Sequence, residues 1–170
     1  MKSAVAIIDQ VLEKLLVFIM GLMVVVVTWQ VVTRYVLNDP SSYTAELATY
    51  LLIWVSMLGA AYALRLRAHL GIDIVTVKLT GSAKKFSEIF IYSMIILFSA
   101  LFFVYGGSYL VYVTLTVKQL SAAFQLPVGY IYLVLPISGL LMIFYSIAAL
   151  TGQLEEKSSM LSAPNPGGQA

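Results

Sequence analysis

Apolar residues in this chain come in long uninterrupted runs. Leu15–Thr33, Leu47–Leu64, Ile89–Val117 and Gln119–Leu154 contain no Asp, Glu, Lys or Arg. About twenty apolar residues carry a helix across the hydrocarbon core, and a charge near its centre costs about 2.5–3.5 kcal/mol on insertion scales. A chain that keeps its charges between such runs is predicted to be an all-α integral membrane protein with four transmembrane helices. The expected spans cover about residues 15–37, 44–65, 88–117 and 127–151, within one membrane domain over 1–155. Residues 156–170 carry Pro164, Pro166, Gly167 and Gly168 and are expected to form a disordered cytoplasmic tail.

Local signals refine the pattern. The cluster Asn38-Asp39-Pro40-Ser41-Ser42 predicts a tight turn between the first two spans. Ser41 or Ser42 is expected to cap the second helix, with Glu46 in the first turn, where the positive helix end favours an anion. The third run is long for the bilayer, is interrupted by Gly106-Gly107, and gathers Tyr105, Tyr109 and Tyr112 towards one end as an aromatic belt. The fourth span is expected to start at Pro127 and to kink at Pro136, near Ser138 and Gly139. Between spans two and three, Ile72, Ile74, Val75, Val77 and Leu79 precede Lys84-Lys85, the pattern of a short helix in the membrane interface or of a polar loop touching lipid.

Charge then sets orientation. Lys2, Lys14, Arg65, Arg67, Lys78, Lys84, Lys85 and Lys157 lie on one side of the expected topology, against Arg34 and Lys118 on the other. The positive-inside rule places both termini in the cytoplasm. The first run is longer than a usual signal-peptide core and has no small-x-small cleavage site, so it is expected to be a retained helix.

Composition narrows the function. Four spans consume most of 170 residues, and an ordinary soluble catalytic domain needs on the order of 100. A net charge of +2 gives no reason to expect nucleic acid as a partner. Zero cysteines exclude disulfides and thiolate chemistry, and one histidine excludes paired-histidine haem ligation. No catalytic residue, cofactor or metal site is expected, and the chain does not have the makings of an enzyme. The span middles also lack the ionisable groups that coupled transporters place near the midplane. Such a chain is expected to work as part of something larger.

The candidates for that role are interface residues. Arg34 and Glu46 should share one membrane surface, either paired or held by snorkelling and helix-end electrostatics. In span two, Ser56/Ala60 and Gly59/Ala63 are small-xxx-small pairs that admit a close neighbour, from this chain or from a partner. Arg65, Arg67, His69 and Asp73 cluster at the opposite surface, and His69 alone builds no metal site. Trp54 and Trp29 suit anchoring or helix packing.

With these residues in place, a resemblance emerges. Arg34-Tyr35-Val36-Leu37-Asn38-Asp39-Pro40, followed by Tyr43 and Glu46-Leu47-Ala48, resembles the first hairpin of the small (DctQ-type) membrane subunit of tripartite ATP-independent periplasmic (TRAP) transporters. Trp54, Gly59-Ala60, Ala63, Arg65, His69 and Asp73 resemble the family's second block. Leu126-Pro127, Tyr130, Pro136 and Gly139 resemble its last-helix signature, so the likeness runs over about residues 10–150. Tyr43 stands where the family often has Trp. The resemblance implies a multi-pass protein of the bacterial inner membrane that scaffolds a large, multi-spanning, elevator-type transport subunit. A periplasmic solute-binding protein would deliver an organic acid (a C4-dicarboxylate, a sialic acid or a similar carboxylate), with sodium as coupling ion. Membrane lipid is the remaining expected partner. Arg34, Tyr35, Asn38, Tyr43 and Glu46 would then lie at the periplasmic end of the partner interface, and Arg65, His69 and Asp73 at the cytoplasmic end.

Rival classes lack their signatures. A small multidrug exporter wants an acid inside its first span, and Leu15–Thr33 has none. A membrane cytochrome wants ligands for its cofactor. A membrane scaffold or assembly protein unrelated to transport leaves no fingerprint and stands as the alternative.

Overall fold

A computed structural model describes residues 2–39, 41–66 and 82–151, with the side chains of residues 2–4 and 82–85 outside the description. The expected interfacial helix, the tail, Pro40, Arg67, His69 and Asp73 lie outside these residues. Among them, four helices are long and apolar enough to cross a membrane: Val5–Tyr35, Ser42–Arg65, Phe86–Thr116 and Gly129–Leu150.

Span one is one helix, Lys2–Tyr35, of 34 residues, about 50 Å long at 1.5 Å per residue. It starts well before the expected residue 15. Its buried residues Val5, Asp9, Leu12, Ile19, Val26 and Thr33 lie three, four or seven apart. That is the narrow seam of a helix packed along its length on a neighbour. Val17, Phe18 and Val25 point away from the seam and are exposed in the isolated chain, as lipid-facing side chains are. The helix ends at Tyr35, and in the turn that follows Asn38 has a left-handed backbone (φ 51°), a conformation that Asn tolerates better than most residues.

Span two, Ser42–Arg65, buries Leu58, Ala61, Leu64 and Arg65. Ser41 is its N-cap in an extended conformation but gives no side-chain cap bond; instead the Thr44 hydroxyl donates to the Ser41 carbonyl at 3.0 Å. The expected serine cap is therefore positional only.

Span three does not break at its glycines. It runs as an α-helix over Ser82–Phe98, a π-helix over Ser99–Gly106 and an α-helix again over Gly107–Thr116. Span four is interrupted where a kink is expected. A short helix, Gly129–Tyr132, is separated by Leu133 from Val134–Leu150. Pro136 has no N–H to give the carbonyl of Tyr132, and the helix parts there. The start is Gly129, two residues past the expected Pro127, which instead forms an isolated bridge with Leu120.

These two irregular spans fit closely. A Cβ added to Gly139 would stand 2.6 Å from Phe103 Cβ, and one on Gly107 2.9 Å from Leu135 Cβ. A Cβ on Gly129 would meet Leu115 Cγ at 2.6 Å. Each glycine admits a backbone approach that any side chain would block. Span four sits at the centre of the bundle, with Val134, Tyr145 and Ala148 at zero exposure.

Candidate functional site

Two polar clusters close the bundle, one at each end. Near the chain termini, Asp9 falls on the seam of span one and meets Arg65, the last residue of span two. Arg65 Nε donates to Asp9 Oδ2 at 2.9 Å, and the Tyr145 hydroxyl of span four donates to Oδ1 at 3.0 Å. All three residues are buried. Ionised groups of opposite sign, each hydrogen-bonded, satisfy one another where water cannot reach. One turn along, the Tyr62 hydroxyl donates to Glu13 Oε2 at 3.4 Å, a long bond on the exposed rim. Spans one, two and four are thus joined by one carboxylate.

At the opposite end, Glu46 of span two faces the connection between spans three and four. Its Oε1 accepts from Ser121 Oγ at 2.6 Å and from the Tyr50 hydroxyl one turn on. Its Oε2 accepts from the Ala123 backbone N–H at 2.7 Å. Ser121 Oγ in turn accepts from the Phe124 N–H at 3.2 Å. The connection has a set shape: Ser121 N–H donates to Leu126 O at 2.8 Å and Val128 N–H to Gln119 O at 3.0 Å. Lys118 (φ 52°) and Gln125 (φ 57°) both sit in the left-handed region. The rings of Tyr43 and Phe124 meet edge to face at 5.5 Å.

Other expectations fare differently. Among the described residues Arg34 forms no ion pair with Glu46; its guanidinium lies 5.7 Å from the Tyr35 ring centre. The Glu46 oxygens accept instead from Ser121, Tyr50 and the Ala123 N–H. Arg65 meets Asp9; His69 and Asp73, with which it is expected to group, lie outside the described residues. In span two, Ser56 and Ala60 are exposed, Ala63 is half-buried, and nothing lies within 4 Å of a Cβ built on Gly59. The small residues therefore leave a face open in the isolated chain. Trp54 is half-buried and lines an apolar groove of about 350 Å³ with Leu12, Leu58, Ile137 and Leu141. Tyr35, Asn38 and Tyr43 are exposed beside the turn.

Asp9, Tyr145, Tyr50 and Ser121 escape sequence reasoning. Asp9 had a signal: Asp9 and Thr33 are the polar members of span one's seam, and in a membrane helix polar residues mark the buried side. Ser121 had none, since its partner is 75 positions away in sequence.

Four spans, closed by polar contacts at both ends and carrying an open small-residue face, define a multi-pass membrane protein of the helical-bundle class. The chain belongs to the DctQ component family of the tripartite ATP-independent periplasmic transporters, whose family model matches residues 23–156. It is 36% identical over 78 residues to the sialic acid TRAP transporter small permease protein SiaQ of Vibrio cholerae, covering 46% of this chain and 45% of that one. A putative TRAP transporter small permease protein of Haemophilus influenzae is 30% identical over 141 residues, 83% of this chain and 86% of its own. The sialic acid TRAP transporter permease protein SiaT, also of Haemophilus influenzae, is 28% identical over 134 residues, 79% of this chain but 21% of its own.

Proposed function

We propose that this chain is the small membrane subunit of a sodium-coupled, binding-protein-dependent transporter for an organic acid in the bacterial inner membrane. It holds the static side of a large elevator-type transport subunit. The observation that carries this reading is the open face of span two. Ser56 and Ala60 are exposed on a helix otherwise packed through Leu58, Ala61 and Leu64. Lipid gives no reason to keep such a face small, whereas a close-packed partner helix does. The length ratio in the SiaT match supports a large partner, since a stretch like this chain is there one fifth of a longer permease. Sialic acid, named in two of the relatives, fits the acid class; a C4-dicarboxylate or similar carboxylate fits it equally.

The positive-inside count puts the Asp9 end in the cytoplasm and the Glu46 end in the periplasm. A thiol introduced at Asp39 should react with an impermeant reagent in intact cells, and one at Lys84 should not. The opposite labelling would reverse the assignment.

The function is tested by gentle detergent extraction of the tagged chain from its native membrane. A larger multi-spanning protein should be recovered in fixed proportion, and sodium-dependent uptake of the acid should require this chain. Gly59→Leu or Ala60→Leu should lower that recovery without unfolding the bundle. Recovery of the small chain alone, with uptake indifferent to its deletion, would leave a scaffold unrelated to transport.

A further inference from the structure

The connection between spans three and four carries backbone strain that its own sequence does not relieve. Lys118 and Gln125 both adopt left-handed conformations without being glycine, each at a cost that the surroundings must offset. Within the connection the Leu120↔Pro127 bridge and the Ser121–Leu126 and Gln119–Val128 bonds define the reversal. The hydrogen bonds that tie it to span two are made by Glu46, beside the edge-to-face contact of Tyr43 with Phe124. One carboxylate takes the Ser121 hydroxyl and the Ala123 N–H, while Tyr50, a turn further along span two, holds the same oxygen as Ser121. Ser121 is 3% exposed although most of its neighbours in the connection are open.

Span two is therefore linked to the second hairpin at both membrane surfaces. Arg65 reaches span four through Asp9 and Tyr145 at one end, and Glu46 reaches the span three–four connection at the other. The first contact is enclosed by packed helices and the second lies at the rim. At the rim, apart from the Tyr43–Phe124 contact, little packing stands in for a lost bond, so the position of the connection depends chiefly on Glu46.

We propose that Glu46 is a positioning residue: it fixes the 118–127 connection against span two, and this fixed geometry sets the rate of the assembled transporter rather than its assembly. The inference rests on the subunit reading above. A static subunit serves a moving partner only if its own halves do not slide, and Glu46 restrains that slide at the periplasmic surface. The charged acceptor matters because two donors converge on it from the connection. A glutamine would present an N–H₂ to one of them.

The test uses the whole complex, reconstituted in proteoliposomes. Glu46→Gln and Ser121→Ala are each compared with wild type for subunit recovery and for uptake against substrate concentration. Recovery should be unchanged, the half-saturating concentration unchanged, and the maximal rate lowered by about three- to tenfold for Glu46→Gln and by less for Ser121→Ala. Restoration provides the discriminating readout. The chain contains no cysteine, so Glu46→Cys with Ala123→Cys can be joined by a short bifunctional thiol reagent, in a complex whose other subunits are also cysteine-free. Cross-linking should return the maximal rate towards wild type.

Wild-type kinetics in both single variants would overturn the proposal. So would loss of assembly in both, which would make Glu46 an assembly residue, or a cross-linked complex no faster than the unlinked one. Uptake by the wild-type complex that does not need this chain would instead overturn the subunit reading, and is seen before any variant is made.

Discussion

The two ends of the bundle use the same chemistry in opposite settings. At the chain-terminal end, Asp9, Arg65 and Tyr145 are buried and meet side chain to side chain. At the other end, Glu46 meets a hydroxyl and a backbone N–H of a connection that is largely exposed. A buried ion pair depends on both partners, because either one left alone is an uncompensated charge in a medium that solvates it poorly. A rim carboxylate is never far from water and can exchange one donor for another. The contrast teaches that the first cluster governs whether the bundle holds together, and the second governs where one connection sits.

That contrast breaks most sharply at Arg65. Arg65→Leu should destabilise the bundle by about 3–5 kcal/mol, because it strands the Asp9 carboxylate. Adding Asp9→Leu should restore much of the loss, and reversible unfolding in mixed micelles measures both. If the double variant were no more stable than the single, the pair would not be what joins spans one and two.

Between the two clusters close packing dominates, beside a weak hydrogen bond from Ser99 Oγ to Met142 Sδ at 3.8 Å, which gives the middle prediction. Gly139→Ala pushes a methyl to 2.6 Å from Phe103 Cβ and should cost about 1–3 kcal/mol, the usual range for overpacking. Gly59→Ala meets nothing within 4 Å and should leave the stability of the isolated chain unchanged. Equal effects would mean that the span two face is not open.

Of the two ends, the smaller effect on stability is expected at the rim. Ser121→Ala should shift the thermal midpoint of the detergent-solubilised chain by less than Gly139→Ala does. A shift as large as that of Arg65→Leu would erase the distinction between the two ends.

How much of this is legible in the sequence follows from what each feature costs. The spans are legible because a stray charge in lipid is expensive, so Leu47–Leu64 and Ile89–Val117 announce themselves. The same criterion does not show where the helix that carries span one starts. Asp9, Glu13 and Lys14 look like the end of a membrane segment, yet the helix continues to Lys2 because Asp9 is paired rather than solvated. The turn residue Asn38 and the break before Pro136 are legible, since each is a local backbone property. The partner of Glu46 is not. Arg34 is the nearer candidate in sequence, and the preference for Ser121 and Ala123 depends on how spans three and four return to span two. Nor does Gly106-Gly107 say that span three stays continuous, because a glycine reports only that something comes close, as Leu135 does to Gly107.

The π-helical stretch of span three has a further consequence. Over Ser99–Gly106 each N–H reaches one residue further back than in an α-helix, so this part of the span holds chain that an ordinary pitch would not need. A transmembrane helix normally tolerates no change in residue number, since a single deletion rotates everything beyond it by a quarter turn or more and turns its buried side to lipid. Here the surplus is stored inside the span. Removing one residue between Ser99 and Gly106 should draw the stretch back to α-helix while leaving Tyr92 and Val111 on the faces they now occupy. The same deletion between Tyr92 and Phe98 should swing them apart and show as lost folding on a detergent-stability screen. Span three thus has room for a change in length, the kind of indel that evolution usually confines to loops.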